Sequence, residues 1–287
     1  MDEPIIRDIS DTARWVAVYR ARETERPDAV FTDPFARRLA GDRGEQIANA
    51  VPFGDQNAWA FIARTYAFDR LVEQAVAGGA DLVINLAAGL DARPYRMALP
   101  ASLRWVEVDL PEILEYKADV LAPHTPRCVL ERVPLDLANA DARRGLFERY
   151  GRTAASALVL TEGLLVYLMA DEVCALGSDI ARVPAMSHWI VDIVSPGLLT
   201  MMRERAGAAV AAAGAPFVFA SPEGPAFFER CGWTPEQVQS ILKTAHKLKR
   251  LPLMMRMFAM LPESGGSQGD RPWSGVILLR RKLEVRS

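Results

Sequence analysis

Between residues 82 and 194 the sequence alternates short apolar runs with longer stretches of helical periodicity. Such runs, each bounded by a helix-length segment, are typical of parallel strands that are buried on both faces of a sheet. The predicted strands are 82–86, 104–108, 128–133, 157–160 and 188–194. The predicted helices between them are 92–97, 111–121, 141–150 and 171–183. This alternation predicts an α/β fold with a doubly wound, Rossmann-like sheet.

The regions on either side of this alternation predict mostly helices. Before it, Ser10 or Asp11 caps a helix that closes at Pro27, Asp33 begins a short second helix, and a third helix spans 58–76. After it, the predicted elements are helices at 198–213, 225–230, 235–245 and 246–251, an exposed loop at 263–271 and a closing strand at 274–281. Most of these helices lie outside the sheet and need an apolar surface to cover.

We therefore expect one domain of 287 residues. Its predicted parts are a helical N-terminal lid (1–56), a cofactor-binding core (57–194), a lid insertion (195–230) and the C-terminal part of the sheet (231–287). We expect both lids to fold over the crevice at the ends of the strands, because that crevice offers the apolar surface that their helices need.

Composition makes several classes of partner and site improbable. The formal net charge of -2 provides no excess of positive charge for a nucleic acid or an anionic membrane. Cys128, Cys174 and Cys231 form no CxxC pair, so we expect no disulfide, no metal site and a reducing, cytoplasmic compartment. We find neither a signal peptide nor an apolar run of about 18 residues, so no membrane span is expected. The oligomeric state is left open.

The segment 81–91 leads from a buried strand through a turn of small residues, Ala87, Ala88 and Gly89, into a helix. Such a turn lets a ligand approach the backbone and the helix N-terminus, although any tight turn also selects small residues. Asp109 follows the next strand, twenty positions after Gly89, where a carboxylate can bind both hydroxyls of a ribose. The turn lacks the G-x-G-x-x-G pattern of pyrophosphate sites, which favours S-adenosylmethionine over a dinucleotide.

Two further carboxylates follow the next strands along the chain, Asp136 after the third and Glu162 after the fourth. Because the carboxyl ends of parallel strands meet at one edge of the sheet, we expect both to face the same crevice. Asp136 is placed to receive an adenine amino group, but aspartate is also a favoured residue at the start of a helix.

Five segments of the sequence, taken together, resemble the leucine carboxyl methyltransferase family, and the likeness spans nearly the whole chain. Within that family the sequence is most similar to the bacterial class I S-adenosylmethionine-dependent methyltransferases that include the tetracenomycin-type polyketide carboxyl O-methyltransferases. The resemblance implies a sheet of about seven strands and an S-adenosylmethionine cofactor. The segments are SDTARWVA at 10–17, RARETERPDAVFTDPFA at 20–36, NLAAGLDARPYR at 85–96, EVDLP at 107–111 and TEGLLVYL at 161–168.

The resemblance also implies roles for residues around the methionyl group of the cofactor. It places Arg64 on the methionyl carboxylate and Glu162 near the amino group, where a carboxylate pairs with an ammonium. Gly89 corresponds to the turn residue beside the methionyl group, and Arg22 to a second basic residue near the carboxylate. Tyr167 corresponds to a tyrosine at the mouth of the active site, although an aromatic residue in an apolar segment can equally be core.

The adenosine half of the cofactor is assigned by the same resemblance. Asp109, with its neighbour Leu110, is expected at the ribose, and Asp136 with Leu137 at the adenine. The sequence departs from the family at Ala87, where glycine is common, and at Ala92, where threonine is common. The methyl group of Ala87 is therefore expected to crowd the tightest turn of the site.

Methyl transfer from a sulfonium needs the acceptor to be placed about 3 Å from the methyl carbon and water to be excluded. A phenol profits from a general base, whereas a carboxylate is already ionised at neutral pH. None of the three histidines, His124, His188 and His246, is predicted at a strand end facing the crevice. We therefore expect a carboxylate acceptor, and a phenolic hydroxyl is the alternative.

The acceptor is expected to be a hydrophobic small molecule of the polyketide type, since aromatic residues are available for its pocket. Two other classes of function share the predicted fold: a NAD-dependent oxidoreductase, and a binding protein without catalytic activity. The candidate pocket residues are Trp15, Tyr19, Trp59, Phe217, Phe219 and Phe227.

Overall fold

A computed structural model describes residues 9–50, 55–207, 211, 214–262 and 269–282. Its centre is a seven-stranded sheet in the order β3-β2-β1-β4-β5-β7-β6. The first five strands pair in parallel, whereas β7 runs antiparallel to both β5 and β6. The strands are β1 (Leu82–Leu86), β2 (Arg104–Asp109), β3 (Val129–Pro134), β4 (Ala157–Thr161), β5 (Met186–Val194), β6 (Trp233–Ser240) and β7 (Ser274–Arg281).

Helices flank this sheet and precede it in the chain. The α-helices are α1 (Ile9–Thr24), α2 (Ala36–Ala50), α3 (Ala58–Ala77), α4 (Arg93–Arg96), α5 (Pro111–Leu121), α6 (Ala140–Gly151), α7 (Ala170–Ala181), α8 (Pro196–Met202), α9 (Ile241–Lys247) and α10 (Leu253–Ala259). A π-helical turn follows α8 at Arg203–Gly207, and 3-10 turns lie at Asp55–Asn57, Leu165–Tyr167 and Gly224–Cys231. None of the helices in the described ranges combines the length and apolar character needed to cross a bilayer.

The predicted doubly wound sheet is confirmed, and its burial explains why the sequence pattern was clear. Every residue of β1 and β4 is buried, as expected for central strands that are covered on both faces. Core side chains such as Trp189 and Phe147 pack on one face of the sheet, and Phe68 and Trp105 pack on the other.

The helix predicted at 235–245 is wrong in its first half, because the chain forms strand β6 there. Burial alternates along β6, and its register shifts between Pro235 and Gln237. Polar residues and a proline are tolerated on this strand because it lies at the edge of the sheet. The helix begins only at Ile241, where the Ser240 side chain accepts a hydrogen bond from the backbone N–H of Lys243.

Two other predicted helices after β5 differ from the structure. The helix expected at 198–213 begins at Pro196 and changes to π-helical geometry after Met202, and several residues beyond 207 lie outside the described ranges. In place of the helix expected at 246–251, α9 ends at Lys247, a turn follows, and α10 begins at Leu253. Most of the loop predicted at 263–271 also lies outside the described residues.

The expectation of no disulfide is contradicted. Cys174 on α7 and Cys231 at the end of the 3-10 turn Gly224–Cys231 are joined by a disulfide, with Cα atoms 5.0 Å apart across 57 positions of sequence. The fold packs this turn against α7, a proximity that cysteine spacing alone could not indicate. Cys128 remains a free, buried thiol.

Buried polar contacts join helix α1 to the turn after α9 and to the turn after β1. Arg250, in the turn after α9, donates to Glu23 of α1 at 2.7 Å. Arg20 of α1 binds Asp33 at 2.9 Å and the backbone carbonyl of Leu90 at 2.6 Å. Since Leu90 belongs to the turn after β1, α1 is held directly over the carboxyl edge of the sheet.

Candidate functional site

A cavity of about 770 Å³ lies at the carboxyl edge of the parallel strands. Its floor comes from the segments that follow β1 to β5, because these ends all meet at one edge of the sheet. Helices α1, α3 and α8 contribute its remaining walls. Of the predicted site residues, those that line the cavity are Arg64, Ala87, Gly89, Asp109, Leu110, Asp136, Leu137, Glu162 and Tyr167.

The turn after β1 is tightly wound. Ala87 and Gly89 both have left-handed backbones, with φ of 50° and 47°. A Cβ atom on Gly89 would lie 3.3 Å from the Cβ atom of Ala13 in α1, so glycine is needed here both for its conformation and for its size. Ala87 adopts the same backbone region with a methyl group, which is unfavourable for an L-residue.

Asp109 is joined to this turn through the backbone. Its Oδ2 accepts the N–H of Gly89 at 2.6 Å, and its Oδ1 accepts the N–H of Leu110 at 2.8 Å. Burial raises the pKa of Asp109, although both of these hydrogen bonds oppose the rise. Each carboxylate oxygen keeps a further lone pair, so the side chain can still accept hydrogen bonds from a ligand in the cavity.

Arg64 of α3 lies between two carboxylates at the opposite end of the cavity. Its Nε is 3.1 Å from Oε1 of Glu162, and its Nη1 is 3.3 Å from Oδ2 of Asp192. The N–H of Gly163 donates to the other oxygen of Asp192 at 2.7 Å. Gly163 has φ of 71°, and a Cβ atom there would lie 3.3 Å from Nη1 of Arg64. The turn after β4 therefore requires glycine wherever Arg64 holds this position.

Arg93 joins three carboxylates below Arg64. It lies 2.7 Å from Asp69, 2.7 Å from Asp91 and 2.8 Å from Glu162, and its side chain is almost fully buried. Burial would raise the pKa of Asp91, but the positive charge of Arg93 and its neighbours reverses that effect and lowers it. Arg93 thus fixes the orientation of Glu162 from below.

The linked ionic cluster carries one more carboxylate than guanidinium. Arg96, which binds Asp69 at 2.6 Å, belongs to the same network. When all groups are ionised, the net charge of the cluster is -1. Burial raises the pKa of Asp192, and Arg64 only partly offsets this effect. The cluster consists of Arg64, Arg93 and Arg96 with Asp69, Asp91, Glu162 and Asp192, and it continues from Arg96 into the neutral pair of Asp33 with Arg20.

Asp91, Arg93 and Asp192 had no assigned role in the sequence analysis. The first two belong to the segment NLAAGLDARPYR on which the resemblance depends, so a signal for them was present in the sequence. Asp192 lies inside the apolar run of β5, where a single acid carries no pattern of its own.

The segment after β3 forms the rim of the cavity. Asp136 is exposed and accepts the backbone N–H of Ala138 at 2.9 Å. Arg143 of α6 donates to the carbonyl oxygen of Leu137 at 2.7 Å and to Asp179 at 3.1 Å. Sequence reasoning missed Arg143, which anchors this rim from behind through its ion pair with α7.

The cavity also has an apolar chamber next to Tyr167. The ring of Tyr167 stacks on Phe217 with 5.7 Å between centroids, and Trp15 and Met202 line the same region. Burial raises the pKa of Tyr167, so its hydroxyl stays protonated at neutral pH. Of the six aromatic residues predicted for the pocket, the cavity wall contains Trp15, Trp59 and Phe217.

The other three predicted pocket aromatics pack elsewhere. The ring of Tyr19 stacks on Phe61, with 5.1 Å between centroids. Phe219 and Phe227 contact each other in the core below β4 and β5, at 4.9 Å. Their helical or alternating spacing therefore reflects core packing.

Arg22 is not brought to the cavity wall. Its guanidinium donates to Glu45 of α2 at 2.9 Å, and it therefore contributes to the packing of α1 on α2. The three histidines are also absent from the described residues that line the cavity. His124 lies against Phe35, and His188 lies 3.6 Å from Glu236.

Comparison with known proteins places the chain among methyltransferase sequences. Residues 13–181 match the family model of leucine carboxyl methyltransferases. A protein of Rhodococcus jostii provisionally named an S-adenosyl-L-methionine-dependent methyltransferase is 34% identical over 194 residues, which is 62% of this chain and 66% of that protein. A Mycobacterium tuberculosis protein with the same provisional name is 34% identical over 180 residues, 58% of this chain and 59% of its own length.

Two solved structures share the fold. A protein of Thermobifida fusca, provisionally described as a methyltransferase, superposes with a TM-score of 0.60 at 16% identity, covering 97% of this chain and 96% of that one. A DUF574 family protein of Streptomyces avermitilis gives a TM-score of 0.57 at 16% identity, with coverage of 94% and 97%. These two matches confirm the arrangement of strands and helices around the cavity.

Proposed function

The chain belongs to the leucine carboxyl methyltransferase family, and we propose that it transfers a methyl group from S-adenosylmethionine to an oxygen atom of a hydrophobic small molecule. The observation that carries this proposal is the convergence of Gly89, Asp109 and Glu162 on one cavity. Their segments follow three different strands and surround a space large enough for a cofactor and an acceptor. The names of the relatives support the same activity.

The adenosine half of S-adenosylmethionine fits the end of the cavity at Asp109. A ribose has two adjacent hydroxyl donors, and the carboxylate of Asp109 has lone pairs left after its two backbone hydrogen bonds. Asp136 and Leu137 would then contact the adenine at the rim. No phosphate has to be bound, which agrees with a turn that contains Ala87 in place of a further glycine.

The methionyl half fits the ionic cluster by its charge. S-adenosylmethionine carries a sulfonium, an ammonium and a carboxylate, so its net charge is opposite to the net charge of the cluster. Glu162 would pair with the ammonium and Arg64 with the carboxylate. Arg64 uses Nε and Nη1 for its two ion pairs, and the fork of its guanidinium has further N–H groups that can receive a carboxylate.

We propose that the acceptor oxygen belongs to a carboxylate. His, Lys and Cys are absent from the described residues of the cavity wall, and its carboxylates Glu162 and Asp192 are held in ion pairs with Arg64. A carboxylate needs none, since it is ionised at neutral pH. Tyr167, with its raised pKa, would donate a hydrogen bond that orients the acceptor while Trp15 and Phe217 exclude water.

Labelled methyl transfer tests this function directly. The protein is incubated with S-adenosylmethionine carrying a tritiated methyl group and with matched pairs of hydrophobic carboxylic acids and phenols. Mild alkali releases volatile methanol from a methyl ester but not from an aryl methyl ether. Methanol release from the acids supports the proposal, whereas a stable ether from the phenols identifies a hydroxyl acceptor.

Calorimetry separates the methyltransferase from the other two classes of function. Tight binding of S-adenosylhomocysteine without binding of NAD supports the proposed cofactor. Binding of NAD alone would indicate an oxidoreductase, and binding of neither would indicate a protein without catalytic activity. The variant Phe217→Ala, which opens the apolar chamber, should weaken acceptor turnover and leave binding of S-adenosylhomocysteine nearly unchanged.

A further inference from the structure

An apolar surface is exposed at α10 and the turn that follows it. Six large apolar side chains within nine consecutive positions are each 58–84% exposed. Elsewhere in the described part of the chain such exposed side chains are few and scattered, so this concentration is a distinct surface feature. We call it the α10 patch: Leu253, Met254, Met257, Phe258, Met260 and Leu261.

Between Glu236 and Glu263 the sequence has only positive charges. From 237 to 262 it contains no Asp or Glu, but it contains five Lys and Arg residues together with His246. Lys247, Lys249 and Arg256 are exposed. Arg250 is not part of the exposed set, because it is bound to Glu23 and Asp28. The net charge of -2 for the whole chain conceals this local excess.

One of these charges lies at a strained backbone position. Lys249 has φ of 58°, a left-handed conformation that glycine adopts far more easily than lysine. The backbone alone would therefore favour glycine, which has no side chain, at the position that this lysine occupies. The buried ion pair of the next residue, Arg250, with Glu23 fixes this turn against α1.

We propose that the α10 patch docks onto an anionic lipid surface. The six apolar side chains would enter the hydrocarbon boundary, while Lys247, Lys249 and Arg256 contact the headgroup phosphates. Exposed apolar side chains supply buried area at a membrane interface, and neighbouring Lys and Arg residues add attraction to anionic headgroups. This inference is independent of the reaction performed in the cavity.

Other occupants of the patch fit less well. In a symmetric contact, a second copy of the chain would bring its own lysines against these lysines, and like charges oppose such an interface. An acidic protein would match the charge, but it would need a shaped apolar groove.

Vesicle flotation tests the docking. The full chain is mixed with vesicles of phosphatidylcholine alone or of phosphatidylcholine with phosphatidylglycerol, and the protein that floats with each is measured. We expect binding only to the anionic vesicles, decreasing as salt is added. The double variant Met257→Ser/Phe258→Ser should lower the partition coefficient about tenfold or more. The control Val129→Ser removes an exposed apolar side chain at the far edge of the sheet and should leave binding unchanged.

Lys249→Gly separates a role in docking from a role in folding. It removes the backbone strain of a lysine with a positive φ, so it should raise the melting temperature. It also removes one positive charge, so it should lower the partition coefficient about fivefold. Binding of S-adenosylhomocysteine should be unchanged in every variant, so these results do not depend on the proposed methyl transfer.

Three results would overturn the proposal. The first is failure of the wild-type protein to float with either kind of vesicle. The second is equal binding of Lys249→Gly and wild type to anionic vesicles. The third is a dimer of the wild-type protein, seen by light scattering, that becomes a monomer in Met257→Ser/Phe258→Ser. That result would assign the α10 patch to a second copy of the chain.

Discussion

The carboxylate of Asp109 accepts the backbone N–H of Gly89 at 2.6 Å, which joins the end of β2 to the turn after β1. Asp109 also accepts the N–H of Leu110, so one side chain fixes the backbone of two segments of the cavity wall. The proposed ribose acid is therefore part of the structure that shapes the cofactor turn. Its removal should affect binding both through the lost acceptor and through displacement of the turn.

Asp109→Asn is expected to weaken binding of S-adenosylhomocysteine about 10–100-fold. The amide has one acceptor oxygen for two backbone N–H donors, and its NH₂ group would face one of them. A hydrogen bond to a charged group contributes about 1.5–3 kcal/mol, which corresponds to a loss of this size. Titration calorimetry measures the affinity, and circular dichroism verifies that the variant is folded.

Asp42→Asn serves as the matched control for this measurement, since it neutralises an exposed carboxylate on α2. Its affinity should equal that of the wild-type protein. An Asp109→Asn variant that binds as tightly as this control would refute the assignment of the ribose site.

Ala87→Gly is expected to stabilise the protein. Ala87 has φ of 50°, and an L-residue in this region costs about 1–2 kcal/mol, whereas glycine loses about 0.5–1 kcal/mol through its greater freedom in the unfolded chain. The free energy of unfolding in urea should therefore rise by about 0.5–1 kcal/mol. Ala88→Gly, one position along and without a left-handed backbone, should instead lower it. If both variants lose stability, the turn is not strained at Ala87.

The central part of the fold could be predicted because its strands are buried on both faces. The predicted strand 82–86 has the same bounds as β1, Leu82–Leu86. A short apolar run between helix-length segments predicts a buried strand. Strand β6 could not be recognised, because its half-buried positions carry Pro235, Gln237 and Gln239 instead of apolar residues, which an edge strand tolerates. Its identity depends on pairing with β7, which is distant in sequence.

The residues of the candidate site also include some that the sequence predicts and some that it does not. The placement of Asp109, Asp136 and Glu162 at the cavity could be predicted, because a carboxylate at or just after the end of a strand lies at the carboxyl edge of a parallel sheet. Asp192 could not, because a single acid inside the apolar run of β5 carries no pattern, and the role of Arg93 within its segment depends on which carboxylates meet it in three dimensions. The disulfide between Cys174 and Cys231 could not be predicted either, because it too depends on a contact between segments distant in sequence.

Arg93→Leu is expected to lower the free energy of unfolding by about 3–5 kcal/mol. The substitution leaves Asp69, Asp91 and Glu162 without the guanidinium that they share, and loss of one partner of a buried ion pair costs this much. Urea denaturation measures the loss, with Arg70→Leu as control, because Arg70 forms an exposed pair with Glu73 that contributes little. A loss below about 1 kcal/mol for Arg93→Leu would show that the cluster is not a structural unit.

Asp192→Asn should change how stability depends on pH. Burial raises the pKa of Asp192 above its ordinary value of 3.8, so the folded chain binds more protons at this group than the unfolded chain. Its contribution to stability is therefore present below pH 3.8 and decreases as pH rises through the folded-state pKa. The unfolding free energy of Asp192→Asn relative to wild type should accordingly increase from about pH 4 upward in urea titrations. A difference that stays constant or falls with pH, as judged against Asp42→Asn, would contradict the raised pKa.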